Sequence, residues 1–305
     1  MKTTSLTLSA AAVLAAGLVT HSNAADALTW KEKAVSPVTN PIFFEDPHIT
    51  TEARAIFAYH RIGDDLLNGL GLNGVSEGDV RVYALQLRYA INDRLAIIAT
   101  KDGYTDINFD TPALAGFSRK GFNDIAAGLK YAFIVDDANE FILTGGLKIE
   151  LPTGNQKVFQ GNGSGEWDVF VSSAKSWGDF RAVGSAGLRL PNDFSAESSS
   201  THYSVQFDYY TCQYFIPFVS ANGHTVITSG NSNFALPAGG LNVEGFDLIN
   251  FGADSADGRT QIVGGVGFRS KLCKRVDLGF AYESSLTSPK GLFKDRFTVD
   301  LIYKF

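Results

Sequence analysis

Roughly ten residues at a time, apolar and polar side chains change places along this chain, and that period of two constrains the fold more than any other feature. In a strand, successive side chains point to opposite faces. At the C-terminus Phe297, Val299, Leu301, Tyr303 and Phe305 share one face, while Arg296, Thr298, Asp300 and Lys304 share the other. One such strand would also fit a soluble sheet. The repetition is what decides. The same alternation recurs over 83–89, 125–133, 141–150, 166–172, 180–189, 202–209, 261–269 and 276–283. Weaker strands at 53–62, 95–104 and 213–221 bring the expected number to twelve, the last of them weakened by Pro217, which removes a ladder donor.

Many of the apolar faces begin or end in Tyr, Phe or Trp, as at Tyr83, Tyr89, Trp167, Tyr203, Tyr209 and Tyr303. The opposite faces carry glycine and charges of both signs. A soluble barrel would turn its apolar face inward; here the simpler arrangement is inside-out, with interfacial aromatics toward lipid and a polar interior. Beyond the leader, no apolar run approaches the eighteen or so residues a spanning helix needs. A closed barrel is then the remaining way to cross a bilayer, since lipid offers no partner to an open sheet edge. Short links (91–94, 135–139, 178–179, 211–212, 272–275) alternate with long ones (63–77, 105–120, 152–164, 191–200, 222–259, 286–293). Short periplasmic turns and long outer loops give that pattern, and an even strand count puts both termini in the periplasm. The expected fold class is therefore all-β: an up-and-down, antiparallel transmembrane β-barrel in the bacterial outer membrane.

Lys2, the apolar stretch 6–19 and Ser22-Asn23-Ala24 read as a secretory signal peptide over 1–24, cleaved before Ala25. Residues 25–52 fit no strand. They hold Pro37, Pro41 and Pro47 with the apolar pair Phe43-Phe44, and both a periplasmic tail and a segment tucked into the lumen remain open. Residues 53–305 form the barrel. A net charge of −6 argues against nucleic acid as a partner, because phosphates could not be neutralised in bulk.

Alternation assigns fourteen charged residues to the lumen: Arg88, Lys130, Lys148, Glu150, Glu166, Asp168, Arg181, Arg189, Asp208, Arg269, Asp277, Glu283, Arg296 and Asp300. They either pair across strands to stiffen the barrel or line a path and set its ion preference. Twelve strands imply a backbone radius of roughly 12 Å, wide enough for a small solute unless a loop folds in. The stretch 222–259, with Glu244, Asp247, Asp254 and Asp257, is the candidate plug. Cys212 and Cys273 fall in predicted periplasmic turns, where an oxidising compartment favours a disulfide; two free thiols are the alternative. The histidines show no metal-ligand spacing, and no cofactor is expected. His202 and Ser204 form a His-x-Ser pair, which resembles the catalytic pair of the outer-membrane phospholipase family. Alternation turns the pair toward the lumen, and Val205-Gln206 stands where that family carries Asn-Gly.

Two segments resemble another family. Gly121-Phe122-Asn123-Asp124-Ile125 with Gly128-Leu129-Lys130-Tyr131, and Leu151-Pro152-Thr153-Gly154 with Gly163-Ser164-Gly165-Glu166-Trp167-Asp168, are similar to motifs of the outer-membrane transporters named for the meta-pathway of phenol degradation. The resemblance implies a barrel passing small apolar or aromatic molecules and transfers no catalytic residue. Phe305, ending an alternating strand, resembles the C-terminal signal read by the barrel-assembly machinery. The expected function is a non-enzymatic channel or transporter for passive uptake of small-molecule solutes, with outer-membrane lipid around it. A phospholipase-like hydrolase and a structural or adhesive barrel are the alternatives.

Overall fold

The computed structural model describes residues 28–63, 78–109, 118–231, 244–288 and 290–305; the expected leader over 1–24 lies outside them. Twelve antiparallel strands close into one barrel. They are β1 (Glu52–Ile62), β2 (Gly78–Ala90), β3 in two pieces (Leu95–Ala99 and Gly103–Phe109), β4 in two pieces (Arg119–Phe122 and Ile125–Asp136), β5 (Phe141–Leu151), β6 (Glu166–Trp177), β7 (Phe180–Pro191), β8 (Ser199–Tyr209), β9 (Ile216–Thr228), β10 (Thr260–Cys273), β11 (Val276–Ser285) and β12 (Phe293–Lys304). Each pairs with its sequence neighbours, and β1 closes on β12 from Glu52↔Lys304 to Tyr59↔Phe297. Closure leaves no edge with unpaired backbone groups, as a lipid solvent requires.

The side chains follow the inside-out pattern. Tyr83, Leu85, Leu87 and Tyr89 of β2 are exposed on the outside, whereas Gln86 and Arg88 between them are buried. Tight hairpins account for the short links. Between β6 and β7 only Gly178 and Asp179 remain, with Gly178 at φ +68°, a conformation glycine adopts without the cost a Cβ would bring.

Two expectations need correction, and one alternative is decided. β9 does not stop at 221 but runs to Thr228, so the long link that follows is shorter than 222–259. Gly223, expected within that link, is a strand residue whose missing side chain admits the Tyr203 ring; a Cβ there would come within 2.0 Å of it. The turn before β9 is correspondingly longer than 211–212, with Cys212 bridged to Phe215. Of the two alternatives for Cys212 and Cys273, a disulfide or two free thiols, the structure holds the free, exposed thiols. Lys271 N–H donates to Gln213 O at 2.6 Å, which fixes the rim one residue off the cysteine, while Cys273 pairs with Val276 in the neighbouring hairpin.

β3 and β4 are the irregular part of the wall. β3 breaks at 100–102 and β4 at 123–124, beside each other. Asn123 N–H donates to Gly103 O at 2.9 Å, and Thr105 Oγ1 donates to Asn123 Oδ1 at 2.6 Å.

Candidate functional site: a lumen filled by two segments

All fourteen predicted lumen residues are buried. Most answer one another across the wall. Lys148 meets Asp168 at 2.7 Å, Arg181 meets Asp208 at 2.8 Å, Arg189 meets Glu166 at 2.6 Å, and Lys304 meets Asp277 at 2.6 Å. Glu150 pairs with Lys101, a residue of the β3 break. Arg269 donates to both oxygens of Asp300, and Arg54 donates to the same carboxylate through Nε at 2.7 Å.

The rest turn inward to chain that enters the lumen. Residues before β1 run through the barrel, and the wall grips their carbonyls. Gln86 Nε2 donates to Pro41 O at 2.7 Å, Lys148 Nζ to Ile42 O at 3.0 Å, Ser172 Oγ to Glu45 O at 2.5 Å and Thr144 Oγ1 to Pro47 O at 2.6 Å. Arg54 reaches Pro37 O at 2.8 Å, Arg269 reaches Ser36 O at 2.9 Å, and Arg181 reaches Val35 O. A donor-rich wall and a proline-containing segment suit each other: carbonyls find donors, and Pro37, Pro41 and Pro47 bring no N–H that would need an acceptor. Phe43 and Phe44 are both buried.

Glu45 is the anchor. Its carboxylate accepts from Arg88 at 2.8 and 2.7 Å and from Lys130 at 2.7 Å. Burial alone would push this carboxyl up; the Arg88 and Lys130 charges together outweigh it and hold it at about 2. A lowered folded-state value means that the contribution is fully present above the ordinary value of 4.5 and is lost as pH falls toward 2. Docking of the segment is therefore expected to hold at neutral pH and weaken progressively between about 4.5 and 2, read as growing protease access to the segment. Access unchanged across that window would show that Glu45 does not anchor it.

The second segment enters from the opposite end. Phe246, Leu248, Ile249, Phe251, Ala253 and Ala256 are buried in one apolar cluster with Ile62, Val80, Val226, Val263 and Phe293 of the wall. Glu244 ties the segment together, accepting from Ser198 Oγ at 2.7 Å, Phe251 N at 2.7 Å and Ala253 N at 2.8 Å. The two segments meet at one node. Arg296 donates to Asp247 of the outer segment at 2.9 and 2.6 Å and to Glu283 of the wall at 2.7 and 2.8 Å. Glu283 in turn accepts from Asn40 N of the first segment at 3.2 Å. Pro41, Ile42, Asp247 and Leu248 bound an internal cavity of about 30 Å³, room for about one water.

Asp124 explains part of the motif around it. Its Oδ1 accepts from Gly154 N at 2.8 Å and Gly161 N at 2.9 Å, which folds the β5–β6 loop onto the β4 break. From that loop Gln160 Nε2 donates to Leu248 O at 3.1 Å. His202 and Ser204 do not pair: His202 Nε2 bonds Asp168 at 2.8 Å, and Ser204 Oγ accepts from Asn40 Nδ2 at 3.1 Å.

Alternation missed Arg54, Glu45, Lys101 and Asp247. Arg54 was legible, because it lies in phase with His60 opposite Phe57 and Tyr59. Glu45 and Asp247 sit outside strands, where no period assigns a face.

A closed lipid-facing barrel with a filled, ion-paired lumen defines the class: this is an outer-membrane β-barrel. An outer-membrane channel from Pseudomonas putida F1 shares the fold at TM-score 0.60 and 15% identity, over 89% of this chain and 100% of that one. The NanC porin aligns at TM-score 0.48 and 8% identity, over 84% and 100%. The β domain of the Bordetella autotransporter BrkA aligns at TM-score 0.49 and 13% identity, over 84% and 100%. No protein-family model and no curated protein sequence matches the chain.

Proposed function

We propose that this barrel is a channel for passive uptake of small apolar molecules, aromatic ones included, and that they enter through the wall rather than along the axis. The carrying observation is the wall break. On the outside, Tyr83, Leu85, Tyr104, Phe122 and Ile125 line a groove of about 640 Å³. On the inside, Ile42, Ile56, Ala58, Val82 and Leu248 line the small internal cavity. Ala84 and Asn123 border both, so the two spaces stand back to back at the interrupted strands. An apolar solute dissolved in lipid reaches such a groove without crossing the filled mouth of the barrel. The Asp124–Gln160–Leu248 chain of contacts gives the break a mechanical connection to the outer segment. The resemblance of 121–131 and 151–168 to the meta-pathway transporters points to the same solute class.

Ala84→Phe, which fills the partition, is expected to lower uptake of a small aromatic into proteoliposomes by roughly tenfold, while leaving the heat-modifiable mobility of the folded barrel unchanged. Unaltered uptake in a folded A84F barrel would overturn entry at the break. Residues 1–24 are read as the leader that exports the chain. Phe305, 75% exposed with its ring 5.1 Å from that of Tyr303, is read as the mark presented to the barrel-assembly machinery.

A further inference from the structure

The groove on the outer side of the wall break carries a single charge. Asp102 lines it together with Tyr83, Leu85, Tyr104, Phe122 and Ile125. Lys101, the residue before it, turns into the lumen and pairs with Glu150, so Asp102 faces the other way. Its surroundings there belong to the lipid face, where Leu85, Phe122 and Ile125 are exposed, and Asp102 itself is only partly covered. An ionisable side chain on the lipid side of a barrel is costly, and a wall that had only to seal would not carry one.

The carboxylate is open to the groove and unanswered. Leu85 N–H donates to the backbone carbonyl of Asp102 at 2.9 Å, which fixes the residue against β2. Among the described residues no other side chain bonds its carboxylate. Basic groups of the adjoining strands are held elsewhere: Arg81 by Asp79 at 2.9 Å, Lys120 by Asp106 at 2.8 Å and Lys101 by Glu150. The space in front of Asp102, about 640 Å³, falls within the range of ligand pockets, roughly 300–1,000 Å³.

The rings of the groove point to the same ligand independently. Tyr104 and Phe122 meet edge to face with centroids 5.3 Å apart, and Tyr83 is the cross-strand partner of Tyr104. Ring faces attract cations, and a carboxylate forms its strongest hydrogen bonds with charged N–H donors. Lipid beside the groove lowers the local dielectric and strengthens an ion pair formed there. A neutral solute would satisfy the rings and leave the carboxylate unpaired, and an anion would be repelled. We propose that the groove selects arylalkylamines in their protonated form, with the ammonium on Asp102 and the apolar body against Phe122 and Leu85. This rests on entry at the wall break and names Asp102 as the residue that sets specificity there.

The test uses the full mature chain refolded in phosphatidylcholine vesicles. Equilibrium dialysis against benzylamine, benzyl alcohol and phenylacetate, with empty vesicles subtracted, reads binding without transport. Benzylamine is expected to saturate one site and to bind at least about tenfold more tightly than the alcohol or the acid. Asp102→Asn keeps the shape of the side chain and removes its charge. It is expected to weaken benzylamine roughly tenfold and to leave benzyl alcohol unchanged. Should D102N fail to fold, Tyr104→Leu keeps the carboxylate and removes a ring, and is expected to weaken benzylamine several-fold. Benzylamine binding no tighter than benzyl alcohol, or undiminished in the folded variant, would overturn the proposal. The two readings fail separately. Absence of amine binding while A84F still lowers aromatic uptake would remove the selectivity and keep the route. Binding through Asp102 with uptake unaltered in A84F would keep the amine site and remove the route.

Discussion

Asp300→Ala is expected to cost about 3–5 kcal/mol of stability, the largest single-residue loss in this lumen. The size follows from what is stranded. Asp300 is buried between Arg54 and Arg269, themselves fully buried, and both guanidiniums send their charge to this one carboxylate. Truncation leaves two buried cations facing each other without the carboxylate that binds both, and a buried charge losing its partner costs far more than the pair contributes net. The damage also spreads, because these arginines hold Pro37 O and Ser36 O, so the entry of the first segment loosens with them. Urea unfolding of the refolded protein in lipid vesicles measures the loss. Replacing the whole node by apolar side chains, R54M/R269M/D300L, is expected to recover most of it, since the desolvation of three charges disappears with their attraction. A loss under about 1 kcal/mol in D300A would show that water reaches the node and screens it.

The contrast between strands and plugs explains what the sequence could disclose. A strand that is lipid on one side and lumen on the other must alternate, so Arg296, Thr298 and Asp300 announce their face through Phe297, Val299 and Leu301. The fourteen inward residues were legible for that reason alone. Segments inside the barrel have no second solvent and hence no period: Pro41 to Pro47 is buried but for a half-buried Ile42, and nothing in its order says whether it is a tail or a plug. The partners it needs lie far along the chain, as with Glu45 and Lys130 or Asn40 and Glu283. The break in β3 and β4 was hidden in another way. Thr100-Lys101-Asp102 lie inside the expected strand 95–104 and Asn123-Asp124 at the start of another, so only the folded register shows the interruptions and sets them side by side. Asp124 did carry a trace, because a carboxylate three residues after Gly121 belonged to a motif, but its role of capturing Gly154 and Gly161 needs the loop in place.

Two obstructions in one tube act as resistances in series, and this sets the last expectation. The first segment crosses the lumen from its periplasmic side and the cluster around Phe246 fills the outer part, with the two meeting at Arg296. Conductance through resistances in series is governed by the larger, so clearing one leaves the other in control. A chain starting at residue 48, without the Glu45 anchor, is therefore expected to conduct little in a planar bilayer. The same holds for a chain with residues 244–253 replaced by a glycine-serine linker. Combining the changes is expected to give discrete steps far exceeding the sum of the single variants, since a twelve-stranded barrel of roughly 12 Å backbone radius is then open. Folding should survive, because Arg88 and Lys130 lose Glu45 but gain water in an emptied lumen, unlike the stranded arginines of D300A. Full steps from the truncation at residue 48 alone would mean that the outer cluster is no seal. The axis itself would then be the route, and the wall break a feature of structure rather than of passage.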